Sequence, residues 1–168
     1  MKNVSIENKK KNTKPVAKAP KSASNKSMGS TEVFESQVNP EVTSALRLVL
    51  ADTFVLYMKT YAVHWNYQGP KFFSVHKMTE KQYGQLAEAI DAIAERMRAL
   101  DRVAPISMAT MLASSDLEEM SRADSGNDQE LLNLISSHVL LAKRAHEAAK
   151  ICEEHDDVFS QDMMIQRV

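Results

Sequence analysis

Two long helical stripes separated by one short break constrain this chain more than any other feature. Leu46, Leu50, Thr53, Tyr57, Thr60 and His64 recur at alternating four- and three-residue steps, which is one helix face. Val75, Thr79, Gln82, Leu86, Ile90, Ile93, Met97 and Leu100 form a second such stripe. Asn66-Tyr67-Gln68-Gly69-Pro70 lies between them and stops the first helix. Asn39-Pro40-Glu41 starts that helix well, with a capping amide, a proline in the first turn and an acid at the positive dipole end. The spacing predicts helices over 40–66 and 71–100. A link this short makes them an antiparallel hairpin.

The remainder continues the helical theme. Residues 101–125 read as irregular, with a small helix around Met108 to Leu112. Asn127-Asp128-Gln129-Glu130 has capping-box spacing and opens a third long helix. Its expected buried face is Leu131, Ile135, Val139, Ala142, Ala145, Ala149 and Cys152. His155-Asp156-Asp157 reads as a turn, and a fourth helix begins near Ser160, with about two turns before Val168. No strand pattern, phosphate-binding glycine loop or internal repeat is visible. The expected class is all-α.

Charge divides the chain. Residues 1–30 hold eight lysines and one acid, Glu7, so this arm carries +7 while the whole chain sums to −1. The lysines are Lys2, Lys9, Lys10, Lys11, Lys14, Lys18, Lys21 and Lys26. The first 40 residues hold one aromatic, Phe34, and lack the apolar surface to offset ordering entropy, so residues 1–38 are expected to be a disordered tail. Spread lysines suit salt-sensitive, sequence-independent phosphate binding. A solubilising or targeting tail fits the composition equally well. The domain is expected over 39–168. One cysteine, Cys152, excludes a disulfide framework and a thiolate-built zinc site. There is no run approaching the ~18 apolar residues of a membrane span, and no apolar segment follows the lysines as in a secretory signal. A soluble protein of a reducing compartment is the expectation.

Candidate metal ligands concentrate on the hairpin: His64, His76, Glu80, Asp91 and Glu95. The hairpin brings His64 and His76 to one end. His76, Glu80, Asp91 and Glu95 share about 100° of arc on the second helix, away from its apolar stripe. Taken singly, each of these residues is more often solvated or structural than a ligand. Their coincidence on one face, beside Trp65 and Phe72-Phe73, favours a site. His76 and Asp91 are separated by about 22 Å along one helix, so a single chain cannot join them on one metal. An antiparallel pairing of two chains about a twofold axis would bring the histidine end of one to the carboxylate end of the other. Imidazole with carboxylate suits Fe(II), and also Zn(II) or Mn(II). His138, His146, His155 and Cys152 read as packing or surface residues.

Residues 46–100 resemble the Dps family, the ferritin-like DNA-binding proteins of starved cells. The resemblance rests on Leu50-Ala51-Asp52-Thr53-Phe54-Val55-Leu56-Tyr57, His64-Trp65-Asn66, Gly69-Pro70-Lys71-Phe72-Phe73-Ser74-Val75-His76 and Asp91-Ala92-Ile93-Ala94-Glu95-Arg96. It continues more weakly through residue 168. It implies a ferritin-like four-helix bundle assembled into a twelve-subunit cage, cytoplasmic and nucleoid-associated. By the resemblance, His64 and His76 match the family's histidine ligands for iron. Asp91 and Glu95 match carboxylate ligands from a neighbouring subunit, Glu80 a supporting acid, and Trp65 an aromatic relay beside the iron. The implied activity is Fe(II) oxidation by hydrogen peroxide with storage of ferric mineral, and the lysine tail resembles the tails of DNA-binding members. Asp157 and Asp162 match acids lining iron-entry pores, with Gln166 where a third acid often stands. Family members continue the fourth helix for about twenty residues, or 30 Å. The expectation is therefore a truncated fourth helix, an unfilled groove and poor assembly, which a stable twelve-subunit peak in light scattering would overturn.

Two other readings compete. A ferritin with a di-iron site inside one bundle needs Glu-x-x-His motifs, and no Glu lies three residues before any histidine. A nucleoid-compacting or purely structural cage protein would lack the oxidation chemistry.

Overall fold

The computed structural model describes residues 39–120 and 128–167, all within one unit, Glu35–Val168. The lysine arm and Asn127 of the expected capping box lie outside the described residues. Five helices follow in order, with no strand among the described residues: α1 (Pro40–Asn66), α2 (Phe72–Ala99), α3 (Met108–Ser114), α4 (Asp128–Glu154) and α5 (Val158–Arg167). α1 packs against α2, α3 and α4, and α5 packs on α4 and touches α2.

Local chemistry explains the boundaries. The Asn39 side chain accepts the Glu41 N–H at 2.7 Å and Pro40 opens α1. Because α1 is surrounded by three helices, its burial exceeds one stripe: Val42, Val49, Ala51, Val55 and Val63 join Leu46 and Leu50 in the core. Gly69 at φ 143° turns the chain where a side chain would be strained. Tyr67, buried in the same turn, donates its hydroxyl to Asp128 at 3.0 Å and so ties the hairpin turn to the start of α4. Ser107 caps α3 by accepting the Thr110 N–H.

Between α3 and α4 the chain is held by a buried acid. Asp52 of α1 accepts the Ser115 hydroxyl at 2.7 Å and the Asp116 N–H at 2.8 Å, and Arg144 of α4 pairs with both Asp52 and Asp116. Removing water from Asp52 costs free energy that these partners offset. α5 starts at Val158, two residues ahead of the expected start at Ser160, because Asp157 caps it.

The expected α4 face needs correction. Ala145, Ala149 and Cys152 are buried as expected, but Ile135 and Val139 are 58% and 63% exposed. Ala142 is exposed as well. Leu134, Ser137, Leu141 and Ala148 face the core instead. Aliphatic residues at adjacent positions of α4 leave the stripe ambiguous by about one residue, which rotates the face by about 100°. Ser137 escapes apolar pattern reading because it returns its hydroxyl to the Asn133 carbonyl at 2.8 Å. Displaced from the core, Ile135 joins Leu131, Met78 and Val75 along a groove of about 490 Å³ between α2 and α4. Gln82 and His138 also line a neighbouring cavity together with Gln166 of α5. Burial lowers the His138 pKa.

Candidate metal centre

The hairpin turn brings the end of α1 against the start of α2, and there two imidazoles stack. The rings of His64 and His76 lie 3.8 Å apart at 20°, and Phe72 stacks on His76 at 5.3 Å. Each histidine is oriented by the other's backbone. His64 Nδ1 is 3.1 Å from the His76 carbonyl, and His76 Nδ1 is 3.2 Å from the His64 carbonyl. A carbonyl only accepts, so each Nδ1 carries the proton and donates. That tautomer leaves the lone pair of each Nε2 for a metal. Buried Thr79 reinforces the arrangement. Its hydroxyl donates to the Val75 carbonyl at 2.8 Å and lies 3.0 Å from His64 Nδ1, from which it accepts.

The carboxylates lie elsewhere. α2 runs unbroken from Phe72 to Ala99, so Asp91 and Glu95 are about four turns beyond His76. Both are exposed. Among the described residues no three His, Cys, Asp or Glu side chains converge to hold a metal. One chain therefore offers two imidazole donors at one end of α2 and two acids at the other. Glu80 sits one turn beyond His76 and pairs with Lys77 at 2.7 Å. The Lys77 hydrogen bond and charge hold the Glu80 carboxyl below its usual range.

Trp65 is 63% exposed. The pore candidates differ in state. Asp157 accepts the Arg96 guanidinium at 2.7 Å, the Ser160 N–H at 3.0 Å and the Ser160 hydroxyl at 2.6 Å, so both its oxygens are engaged. Asp162 is exposed and accepts the Gln166 amide at 2.7 Å. Lys2, Lys9, Lys10, Lys11, Lys14, Lys18, Lys21 and Lys26 lie outside the described residues. His155 bridges Asn39 and Glu41 at the start of α1, at 2.9 and 3.1 Å. Burial pushes the Cys152 thiol up to about 11, an inert packing group.

Sequence reading missed Thr79 as a histidine partner and the tyrosines beside the pair. Tyr61 and Tyr83 stack at 4.2 Å, and Tyr83 meets the His64 ring edge-on at 5.2 Å. The signal was present as helical spacing: Tyr61 precedes His64 by one turn, and Tyr83 follows His76 by two.

The all-helical packing of α1, α2, α4 and α5 is that of a ferritin-like bundle. The ferritin-like domain family matches residues 43–168. A low temperature-induced protein from Nostoc is 36% identical over 102 residues, covering 61% of this chain and 57% of that protein. The chain thus spans little more than half of that relative. A Brevibacillus brevis protein named for DNA protection during starvation is 26% identical over 131 residues, 78% of this chain and 87% of the relative. The crystal structure of a Dps protein from Vibrio cholerae superposes with a TM-score of 0.70 at 25% identity, covering 83% of this chain and 88% of that one. The chain belongs to the Dps family of ferritin-like proteins. Among the described residues no helix is long and apolar enough to cross a membrane.

Proposed function

We propose that the protein oxidises Fe(II) with hydrogen peroxide at sites shared between two copies, stores the ferric product inside a family-type cage, and binds DNA without sequence preference through its lysine arm. The observation that carries the oxidation is the His64–His76 pair, in which both Nδ1 atoms donate to carbonyls and both Nε2 atoms are left as donors to a metal. Iron is the substrate here. His64 and His76 of one copy would take it, and Asp91 and Glu95 of a second copy would complete the set, with Glu80 beside the histidines. Two Fe(II) each give one electron to one peroxide. With two protons, the products are two Fe(III) and two waters. Carboxylates favour the ferric product, which helps drive the step. The names of relatives support the wider reading: one is called a DNA protection protein and another structure is placed among ferritin-like diiron-carboxylate proteins.

Peroxide-dependent Fe(II) oxidation followed in the ultraviolet tests this reading, and an absence of oxidation by the assembled protein overturns it. The arm is tested separately. Deleting residues 1–30 is expected to abolish DNA retardation at low salt and leave oxidation intact. Unchanged retardation would remove the arm from the DNA-binding role.

A further inference from the structure

The groove of about 490 Å³ between α2 and α4 is apolar along most of its lining and polar at two residues. Val75 and Leu134 are buried there, while Met78 and Ile135 stay 45% and 58% exposed. The polar residues are Gln82 and His138, which also line the neighbouring cavity of about 310 Å³ with Thr53, Gln85 and Gln166. Among the described residues, Gln82 Oε1 and His138 Nε2 are shielded from solvent and have no hydrogen-bond partner. Such atoms are rare in folded proteins, because each has given up water and gained nothing in exchange. The surroundings are also without net charge. Lys71 is the single charged side chain among the described residues lining either space, and it pairs with Asp128 at 3.6 Å. Burial lowers the His138 pKa, so at neutral pH the imidazole carries no charge.

Water would answer the two polar atoms but not the apolar side chains beside them, and a hydrocarbon would do the reverse. A hydroxyl on an apolar body answers both. Its proton goes to Gln82 Oε1, which only accepts, and its oxygen takes the N–H of the His138 tautomer protonated at Nε2. Both residues are themselves half-buried, so a turn of each terminal torsion brings these atoms to the groove. Sites for small molecules share this volume and this make-up, mostly apolar with a few polar groups that fix orientation. We propose that the α2–α4 groove binds a neutral apolar molecule bearing one hydroxyl, of the alkylphenol class, with the hydroxyl held between Gln82 and His138. The Met78 thioether suits the edge of an aromatic ring. Nothing here rests on the iron chemistry, since none of these residues belongs to the histidine pair or to the carboxylates.

Two probes of similar size test the site, para-propylphenol and para-propylanisole, each titrated into the full chain by calorimetry. The anisole carries a methyl ether in place of the hydroxyl. It is the more apolar of the two and would bind more tightly if apolar burial alone decided. The expected order is the opposite, with the phenol binding at least about tenfold more tightly, because the ether has no proton for Gln82 Oε1. Equal binding, tighter binding of the anisole, or no binding of either overturns the proposal. Gln82→Leu combined with His138→Leu is expected to reverse the order, and an unchanged preference for the phenol would remove these two residues from the site. The comparison of probes on the unmutated chain stands even where that double variant does not fold. Ile135→Trp, at an exposed position, is expected to fill the groove and abolish phenol binding with helix content unchanged by circular dichroism. Phenol binding that survives Ile135→Trp lies elsewhere and overturns the assignment. Binding that appears only on dilution overturns it too, because the groove would then belong to a contact between copies of the chain.

Discussion

The two ends of α2 carry polar clusters of opposite character. At the C-terminal end, Arg96 donates to Asp157 at 2.7 Å and to the Ser160 hydroxyl at 2.9 Å, and Ser160 donates in turn to Asp157. The ring of Phe159 lies 5.7 Å from the same guanidinium. Both partners of the ion pair are mostly buried, at 20% and 14% side-chain exposure. Donors and acceptors in this cluster answer one another. At the N-terminal end, His64 and His76 spend only their Nδ1 atoms on the protein. A closed polar network fixes a helix in place, whereas one with lone pairs to spare is open to water or a ligand.

The sharpest test of that contrast acts on the open end. His64→Ala combined with His76→Ala is expected to slow peroxide-dependent Fe(II) oxidation by at least about 100-fold, since loss even of groups that only support metal ligands costs 10–100-fold. Stopped-flow absorbance measures the rate, and circular dichroism should show unchanged helix content. The closed end is expected to behave in reverse. Asp157→Ala removes a helix cap and leaves Arg96 without its anion, a cost of about 2 kcal/mol. Hydrogen exchange of the α5 amides should speed up accordingly while oxidation stays normal. A variant at Asp157 that lost oxidation and kept α5 protected would erase the distinction between the ends.

Much of this was legible in the sequence. The hairpin followed from Asn66 to Pro70 and the two stripes, and the two histidines from that hairpin. The separation of His76 from Asp91 followed from helix rise alone. What escaped was decided by packing between helices. On α4, neighbouring aliphatic residues left two faces nearly equal in apolar content, and contact with α1 selected Leu134, Ser137 and Leu141. Asp157 read as a turn residue and, by the resemblance, as a pore acid; its capping and pairing escaped because its partners, Arg96 and Ser160, belong to two different helices. Thr79 read as core, which it is, but its partnership with His64 depends on the depth at which the two helices meet.

Thr79 separates orientation from ligation at the open end. Thr79→Val keeps the volume and removes the hydroxyl, leaving His64 Nδ1 only the His76 carbonyl. Metal affinity is expected to fall about tenfold, as for other groups that orient ligands. Titration with Zn(II) or Fe(II) measures it, and Thr79→Ser should recover most of the loss. Equal affinity in Thr79→Val would show that the backbone carbonyls suffice.

The smallest expected effect is that of acid on the closed end. Burial pushes the Asp157 carboxyl up, but the Ser160 hydroxyl and amide and the Arg96 guanidinium outweigh it, so the pKa lies below the usual 3.8. A carboxyl depressed in the folded state contributes stability that is present above its unfolded pKa. That contribution is lost as pH falls through the folded value, in a window beginning near 3.8 and extending below it. Urea midpoints measured from pH 5 downward should therefore drop, and Asp157→Asn should flatten that part of the slope. Asn keeps one acceptor oxygen for the Ser160 N–H, so the cap survives while the proton linkage disappears. A slope identical in both proteins would mean that Arg96 holds α5 without help from the Asp157 charge.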